Sequence, residues 1–350
     1  MDDKKTKMTY RYLGNSGIRV SVLGWGNWIN NKDEETMAVE TIKAAYEHGI
    51  NFIDTAEIYG LGQGETVIGN ALEKLKIPRE HLVISTKIFK SGMGVNDTFL
   101  SRKHIIEGLN NSLKRLKLSY VDVVFAHRPD NYTPMEEICR AFNRVIEDNK
   151  AFYWGTSEWK ASQILEAHQV CEKLGLIKPI VEQPQYNWLF REKFEVEYCH
   201  LFEKYKLGTT TWSPLMSGIL TGKYMEENPK GSRVENSEAY MHFKYYTENK
   251  VEIDGKLTKL KVVAEKLGCS LAVLAVAWVI KNPDVSTCLL GVSKVEQLNE
   301  NLKALEVMEK MTWETENEIN EILQSKIPNE WDWRDFKQNP GRREQLLGKK

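Results

Sequence analysis

Short runs of β-branched and aromatic residues recur along the chain, each closed by a polar turn and followed by apolar positions at helical spacing. The runs are Val22–Trp25, Asn51–Asp54, Leu82–Lys87, Val121–His127, Phe152–Thr156, Ile180–Gln183, Gly208–Ser213 and Ser286–Gly291. The stretches between them predict helices over Glu34–His48, Glu65–Leu75, Arg102–Leu116, Met135–Asp148, Ala161–Leu174 and Val295–Met308. Most run starts lie 28 to 39 residues apart, the length of one strand–helix unit. Ser101 reads as the N-cap of its helix, and Thr133-Pro134 as an N-cap with a first-turn proline. Eight such units predict an α/β chain folded as a closed (β/α)8 TIM barrel, with an open doubly wound sheet as the alternative. Polar residues decide between them. Asp54, Lys87, His127, Ser157, Gln183 and Ser213 all stand at or just past the C-terminal ends of six runs, which only a barrel gathers on one rim.

Three pieces fall outside the repeat. Tyr10–Val20 predicts a hairpin around Asn15-Ser16-Gly17. Before the last strand, residues 215–254 read as a long loop, which in a compact domain is usually functional, followed by helices Lys256–Lys266 and Ser270–Ile280. A last helix, Glu314–Gln324, precedes a tail carrying Trp331, Trp333 and Phe336, which reads equally as docked or disordered. The expected organisation is a short arm over 1–9, a barrel domain over 10–325 and a tail over 326–350.

Composition narrows the classes. The 350 residues carry 48 Lys and Arg against 49 Asp and Glu, a balance unlike that of a dedicated nucleic-acid binder. The longest apolar run, Leu271–Ile280, is too short to span a bilayer, so no membrane insertion is expected. The charged start, Met1–Lys5, lacks the apolar segment of a secretion signal. Five dispersed cysteines without a C-x-x-C pair, and seven scattered histidines, predict a reduced cytoplasmic protein without a metal site.

The chemistry concentrates on three successive units. A carboxylate at Asp54 and an ammonium at Lys87, each closing a hydrophobic run, are costly alone and compatible if paired on adjacent strands. Tyr59, on the loop after Asp54, would lie near that ammonium, which is expected to lower its pKa and make it a general acid. His127 ends the fourth strand, where an imidazole can orient a substrate oxygen. Any one of these residues alone is ordinarily structural, but their joint occurrence is not. A Schiff-base role for Lys87 is disfavoured because Asp54 would keep it charged. The run Gly60-Leu61-Gly62-Gln63-Gly64 mimics a dinucleotide fingerprint, yet Glu65 replaces its last glycine and Glu80 precedes a strand, so it reads as a flexible loop beside Tyr59. Gly291 and Ser293, where the last strand meets a helix, make a better anion site.

The stretches Asp54-Thr55-Ala56-Glu57-Ile58-Tyr59, Ser85-Thr86-Lys87 and His127-Arg128-Pro129-Asp130 resemble the aldo-keto reductases, and more closely their potassium-channel β-subunit branch. Tyr153–Trp159 and Trp212–Leu215 support the resemblance, which runs from about Tyr10 to Leu323. It implies an NADP(H)-dependent reductase of aldehydes or ketones, with Tyr59 as acid, Lys87 and Asp54 tuning it, and His127 orienting the carbonyl. The animal channel subunits commonly carry Asn where this chain has His127, as plant relatives do, so the full set is present. For NADP(H) the resemblance implies Gly291, Ser293, Gln297, Glu300 and Asn301 at the adenosine half. Arg233 would lie near the 2′-phosphate, with Lys294 adding positive charge. Ser157 and Gln183 fall to the carboxamide, Trp212 under the ring, and Ser213, Pro214, Leu215, Ser217, Gly218 and Lys223 to the pyrophosphate, while Gly26 and Trp28 complete the pocket. The alternative it implies is an auxiliary subunit and redox sensor, a homotetramer docked on a potassium-channel α subunit.

Overall fold

A computed structural model describes residues 8–28, 34–226, 240–324, 331–332, 337–338 and 341–348 of the chain. By contacts it divides into two compact units, the first of residues 1–184, 200–211 and 286–298, the second of 185–199, 212–285 and 299–350.

The first unit holds the whole barrel. A hairpin of β1 (Tyr10–Tyr12) and β2 (Arg19–Ser21) is followed by β3 (Leu23–Gly26), α1 (Glu34–Glu47), β4 (Phe52–Asp54) and α2 (Gln63–Leu75). Then come β5 (Val83–Ile88), α3 (Arg102–Leu116), β6 (Val121–Ala126), α4 (Met135–Glu147), β7 (Ala151–Ser157), α5 (Ala161–Leu174), β8 (Val181–Gln183), α6 (Cys199–Tyr205) and β9 (Gly208–Thr211). Strands β3 to β9 pair in sequence order, all parallel, and β10 (Thr287–Gly291) closes the ring between β9 and β3. The eight runs are thus the eight barrel strands. β5 and β6 are buried at every residue, as parallel strands covered on both sides are, so their polar members Ser85, Thr86, Lys87 and Asp122 are buried as well.

Close approach fixes the glycines that matter. A Cβ on Gly155 of β7 would sit 2.5 Å from the Val181 carbonyl oxygen of β8. Gly14, at φ +63, sets the hairpin turn against Ile180 and Gly208, so Leu13 closes the N-terminal end of the strands and leaves the opposite end to the polar residues. Ser101 caps α3 as expected, its Oγ accepting from the His104 amide at 3.2 Å. The expected Thr133 cap is not made: its hydroxyl donates to Asp130 at 2.6 Å, and Pro134 itself stands at the cap position.

In the second unit the expected loop over 215–254 is a correction. After a 3-10 turn over Met216–Thr221 it forms α7 (Tyr240–Glu248), and α8 runs from Lys250 to Lys266. Gly255 made α8 read as starting later. It tolerates the helix because it faces open space, and the Lys250–Asp254 pair at 2.7 Å supports the first turn. Helix α9 (Leu271–Lys281) is apolar all round because almost every residue in it is buried. No single described helix is long and apolar enough to cross a membrane; α8 and α9 pass only as a pair, bent by 84°. The helix expected over Val295–Met308 is two, α10 (Val295–Leu302) and α11 (Ala304–Lys310), parted where the Lys303 amide bonds Glu300 in a tighter turn. α12 (Trp313–Leu323) follows, then β11 (Trp331–Asp332) paired with β12 (Lys337–Gln338), and α13 (Arg342–Leu347). Among the described residues of the tail, Arg343 of α13 is buried at 4% exposure. Trp333 and Phe336 lie outside the described residues.

A candidate active site at the C-terminal ends of the strands

Alternation along a strand sends every second side chain to the same face, and parallel register sets Asp54 opposite Ser85 and Ser157 opposite Gln183. The expected Asp54–Lys87 pair forms. Lys87 is fully buried, and its ammonium donates to Asp54 Oδ2, to the Thr55 carbonyl at 2.7 Å and to Tyr59 Oη at 3.1 Å. Three N–H groups meet three acceptors, which is what a buried cation requires. The other oxygen of Asp54 accepts from Ser85 Oγ at 2.6 Å and from Gln183 Nε2 at 3.2 Å. Burial pushes the Lys87 pKa down, but Asp54 and then Tyr59 push it up further, leaving it above its ordinary value.

Tyr59 opens a 3-10 turn in which Gly60, Leu61 and Gly62 all have positive φ (57°, 51° and 93°). The turn is held from behind. Glu57 accepts from the Phe89 amide at 2.6 Å and pairs with His104 at 2.9 Å. Gly64 lets α2 start against Tyr59, since a Cβ there would lie 2.8 Å from Asn27 Nδ2 and 3.1 Å from Tyr59 Cβ. The glycines of this run thus shape the Tyr59 turn by steric need. Leu61, an exposed residue in left-handed backbone, carries the local strain.

One expectation needs correction. Burial of the Tyr59 hydroxyl raises its pKa and outweighs the lowering by Lys87, so the phenol stands above its ordinary value. The sequence placed the cation correctly but could not weigh it against desolvation, which depends on how the barrel closes over the hydroxyl. His127 is buried, its ring edge-on to Tyr59 with centroids 5.8 Å apart. Burial, then Lys87 and Arg128, hold its pKa well below the usual range, so it is a neutral imidazole at pH 7. All four candidate residues thus lie together.

Around them the structure adds groups the sequence reading missed. Ser85 stands two residues before Lys87 on the same face, so period-two alternation could have found it. Thr55 acts through its backbone, and nothing in its side chain marks it. Arg128 donates to the His127 carbonyl at 2.6 Å and to Ser157 Oγ at 3.3 Å.

The cofactor candidates fall in both units. In the first, Ser157 Oγ donates to the Gln183 carbonyl at 2.9 Å, and Gln183 reaches Asp54 and Thr210. Gly26 ends β3, and Trp28 follows it half-buried. Gly291 ends β10; beyond it, Ser293 donates through its amide to Gln297 Oε1 at 2.8 Å, closing the turn into α10, and Lys294 is exposed. In the second unit, Trp212 stacks on His242 at 6.0 Å, and His242 bonds Ser217 Oγ at 2.8 Å. Pro214 and Leu215 lie within a backbone run that takes positive φ at Ser213, Met216, Ser217 and Gly218. A Cβ on Gly218 would strike the Lys223 side chain at 2.9 Å. Glu300 accepts from Ser270 at 2.9 Å and from Lys303 at 2.6 Å, and Asn301 is buried. Arg233 lies outside the described residues. Among the described residues no cluster of three His, Cys, Asp or Glu could hold a metal ion.

A closed parallel barrel with a buried Asp–Lys pair bonded to a half-buried Tyr at its strand ends defines a recognisable class, and the aldo/keto reductase family model matches residues 22–324: the chain belongs to that family. Within it, the chain is 49% identical over 321 residues to a putative voltage-gated potassium channel subunit beta of Schizosaccharomyces pombe, covering 90% of this chain and 93% of that protein. It is 48% identical over 325 residues to a probable voltage-gated potassium channel subunit beta of Oryza sativa subsp. japonica, covering 91% and 98%.

Proposed function

We propose that the chain is an NADP(H)-dependent oxidoreductase that reduces aldehyde or ketone carbonyls, with Tyr59 as general acid. The observation that carries this reading is the use of the Lys87 protons. Because Lys87 donates to Tyr59 Oη, the phenol accepts there, and its own O–H is left to donate to a substrate oxygen. Bound NADP(H) supplies the hydride. Tyr59 gives its proton to the carbonyl oxygen as charge develops on it. Lys87, anchored by Asp54, stabilises the phenolate left behind, and neutral His127 donates a hydrogen bond that orients the oxygen. A phenol pKa above its ordinary value still permits this transfer, since an alkoxide is far more basic than a phenolate.

In the second unit the residues fit a phosphate-bearing dinucleotide: Trp212 offers an aromatic face, Gly218 is a position a side chain would fill, and Lys223 brings positive charge. The resemblance adds Lys294 as a further positive charge. Ser157 and Gln183 would hold the carboxamide; Gly26 and Trp28 would complete the pocket. Ser213, Pro214, Leu215 and Ser217 would line the pyrophosphate, and Gly291, Ser293, Gln297, Glu300 and Asn301 the adenosine half. Arg233 would favour NADP(H) over NAD(H).

The test is NADPH oxidation with an aromatic aldehyde by wild type and Tyr59→Phe. Loss of turnover with unchanged NADPH binding supports the acid role; equal rates overturn it. The names of the two relatives favour a second reading, an auxiliary subunit for a potassium channel; in that reading the chain would be a cytoplasmic homotetramer on a channel α subunit, sensing NADP(H) with slow turnover. An NADPH-binding tetramer in light scattering that turns over no carbonyl in a broad panel would favour it, and a monomer would count against it.

A further inference from the structure

The family match ends at residue 324, yet Arg343, in the last helix, is among the most completely bonded side chains of the second unit. Its guanidinium donates to Glu316 of α12 at 3.0 to 3.2 Å, to the Trp278 carbonyl at 2.8 Å and to Tyr186 Oη at 3.1 Å. It also lies over the Trp278 ring at 4.1 Å. Neighbouring Arg342 grips Asp284 with two bonds, at 2.6 and 2.9 Å. Burying an arginine at the end of a chain is costly unless it is fully paired, and here it is.

What Arg343 holds is Tyr186, and Tyr186 belongs to a segment that props the backbone run assigned above to the dinucleotide. The Tyr186 amide donates to the Trp212 carbonyl at 3.3 Å, and Asn187 Nδ2 to the Ser213 carbonyl at 2.9 Å. Gln185 bonds the ring of His242, which in turn holds Ser217. Ser213 and Ser217 are non-glycine residues at φ 57° and 55°. Such backbone costs on the order of 1–3 kcal/mol per residue and persists only where surrounding structure over-determines it. Residues 185–187 supply that constraint, and Arg343 fastens residues 185–187.

We propose that Arg343 is a positioning residue: the C-terminal helix latches the Gln185–Asn187 segment and so holds Trp212–Ser217 ready for the dinucleotide. The proposal rests on the cofactor reading above. It assigns a function to a part of the chain that lies beyond the family match, and no contact of Arg343 with substrate or cofactor is needed.

The test uses the full chain as wild type, Arg343→Met, Arg343→Lys and Ile138→Ala, the last a truncation of a buried residue of α4 in the first unit. NADPH affinity, steady-state constants and amide hydrogen exchange over 186–190 and 212–218 are measured on each. In Arg343→Met the Kd and KM for NADPH rise about tenfold, with kcat at saturating NADPH unchanged and exchange faster in both segments. Arg343→Lys recovers part of the affinity, because it keeps a cation over Trp278. If Arg343→Met does not fold, Arg343→Met/Glu316→Leu removes both buried charges together and takes its place. An NADPH Kd within twofold of wild type in the latch variant, or an equal rise in Ile138→Ala, overturns the proposal. A wild type that fails to bind NADPH overturns the cofactor reading instead; unchanged exchange over 212–218 in the latch variant would then overturn the latch separately.

Discussion

Two tyrosines, each beside a cation and a carboxylate, bond in opposite ways: Tyr186 is buried and Tyr59 half-buried. Tyr59 accepts from Lys87, and its own proton faces no acceptor among the groups that hold it. Tyr186 accepts from Arg343 and Asn282, both at 3.1 Å, and donates to Glu195 at 2.6 Å, with its ring stacked on Phe194 at 4.1 Å. Burial raises the pKa of both phenols. The difference lies in where the proton points. A hydroxyl whose proton is committed inside the protein is a fastener, and one whose proton is left over is available for the acid role proposed above.

The most severe way to break that contrast is to remove the proposed acid. Tyr59→Phe should lower carbonyl-reductase kcat by about 10²–10⁴-fold while leaving thermal stability and NADPH binding near wild type, by turnover assay, calorimetry and fluorescence titration. Next is the charge beneath it. Lys87→Met strands the buried Asp54 carboxylate and should cost about 3–5 kcal/mol in chemical denaturation. Adding Asp54→Asn should return much of that stability without returning activity; a double variant as unstable as the single would show the pair is not self-contained.

A third test concerns buried imidazoles. His127 and His168 both have folded pKa values depressed by burial, that of His168 to about 4. Each is neutral in both states above pH 6.5. Below that the unfolded chain takes up the proton first, so stability is lost as pH falls. For His168 the loss should reach about 3 kcal/mol by pH 4, and His168→Gln should flatten that part of a stability–pH curve. The smallest expected effect sharpens the fastener side. Tyr186→Phe should cost about 1–3 kcal/mol of stability, because Glu195, Arg343 and Asn282 lose a shared partner. If it behaved like Tyr59→Phe, with activity lost and stability kept, the distinction would fail.

The fold was largely legible because its signals are local. Each strand run met its strand to within two residues at either end, and Ser101 capped α3 as its position implied. What misread was also local in cause. Gly255 resembles a breaker, and α7, with only Phe243 and Tyr246 buried, shows no clear apolar stripe. Of the site, Asp54 and Lys87 were legible as costly residues at strand ends, His127 as a polar residue closing a run, and Tyr59 by its place on the loop after Asp54. Thr55 was not, because it acts through a carbonyl. Arg343 was not, because nothing within the tail says that an arginine there will be buried.

The sequence by itself determined the eight-unit barrel and the rim on which its polar residues gather, since periodicity and turn chemistry act between neighbours. Only the tertiary structure decided the direction of the Tyr59 pKa, the grip of Gln183 on Asp54 across 129 residues, and the reach of Arg343 to Tyr186 across 157. Those depend on which surfaces closure removes from water and which donors it brings within hydrogen-bonding reach of an acceptor. No local pattern carries that information.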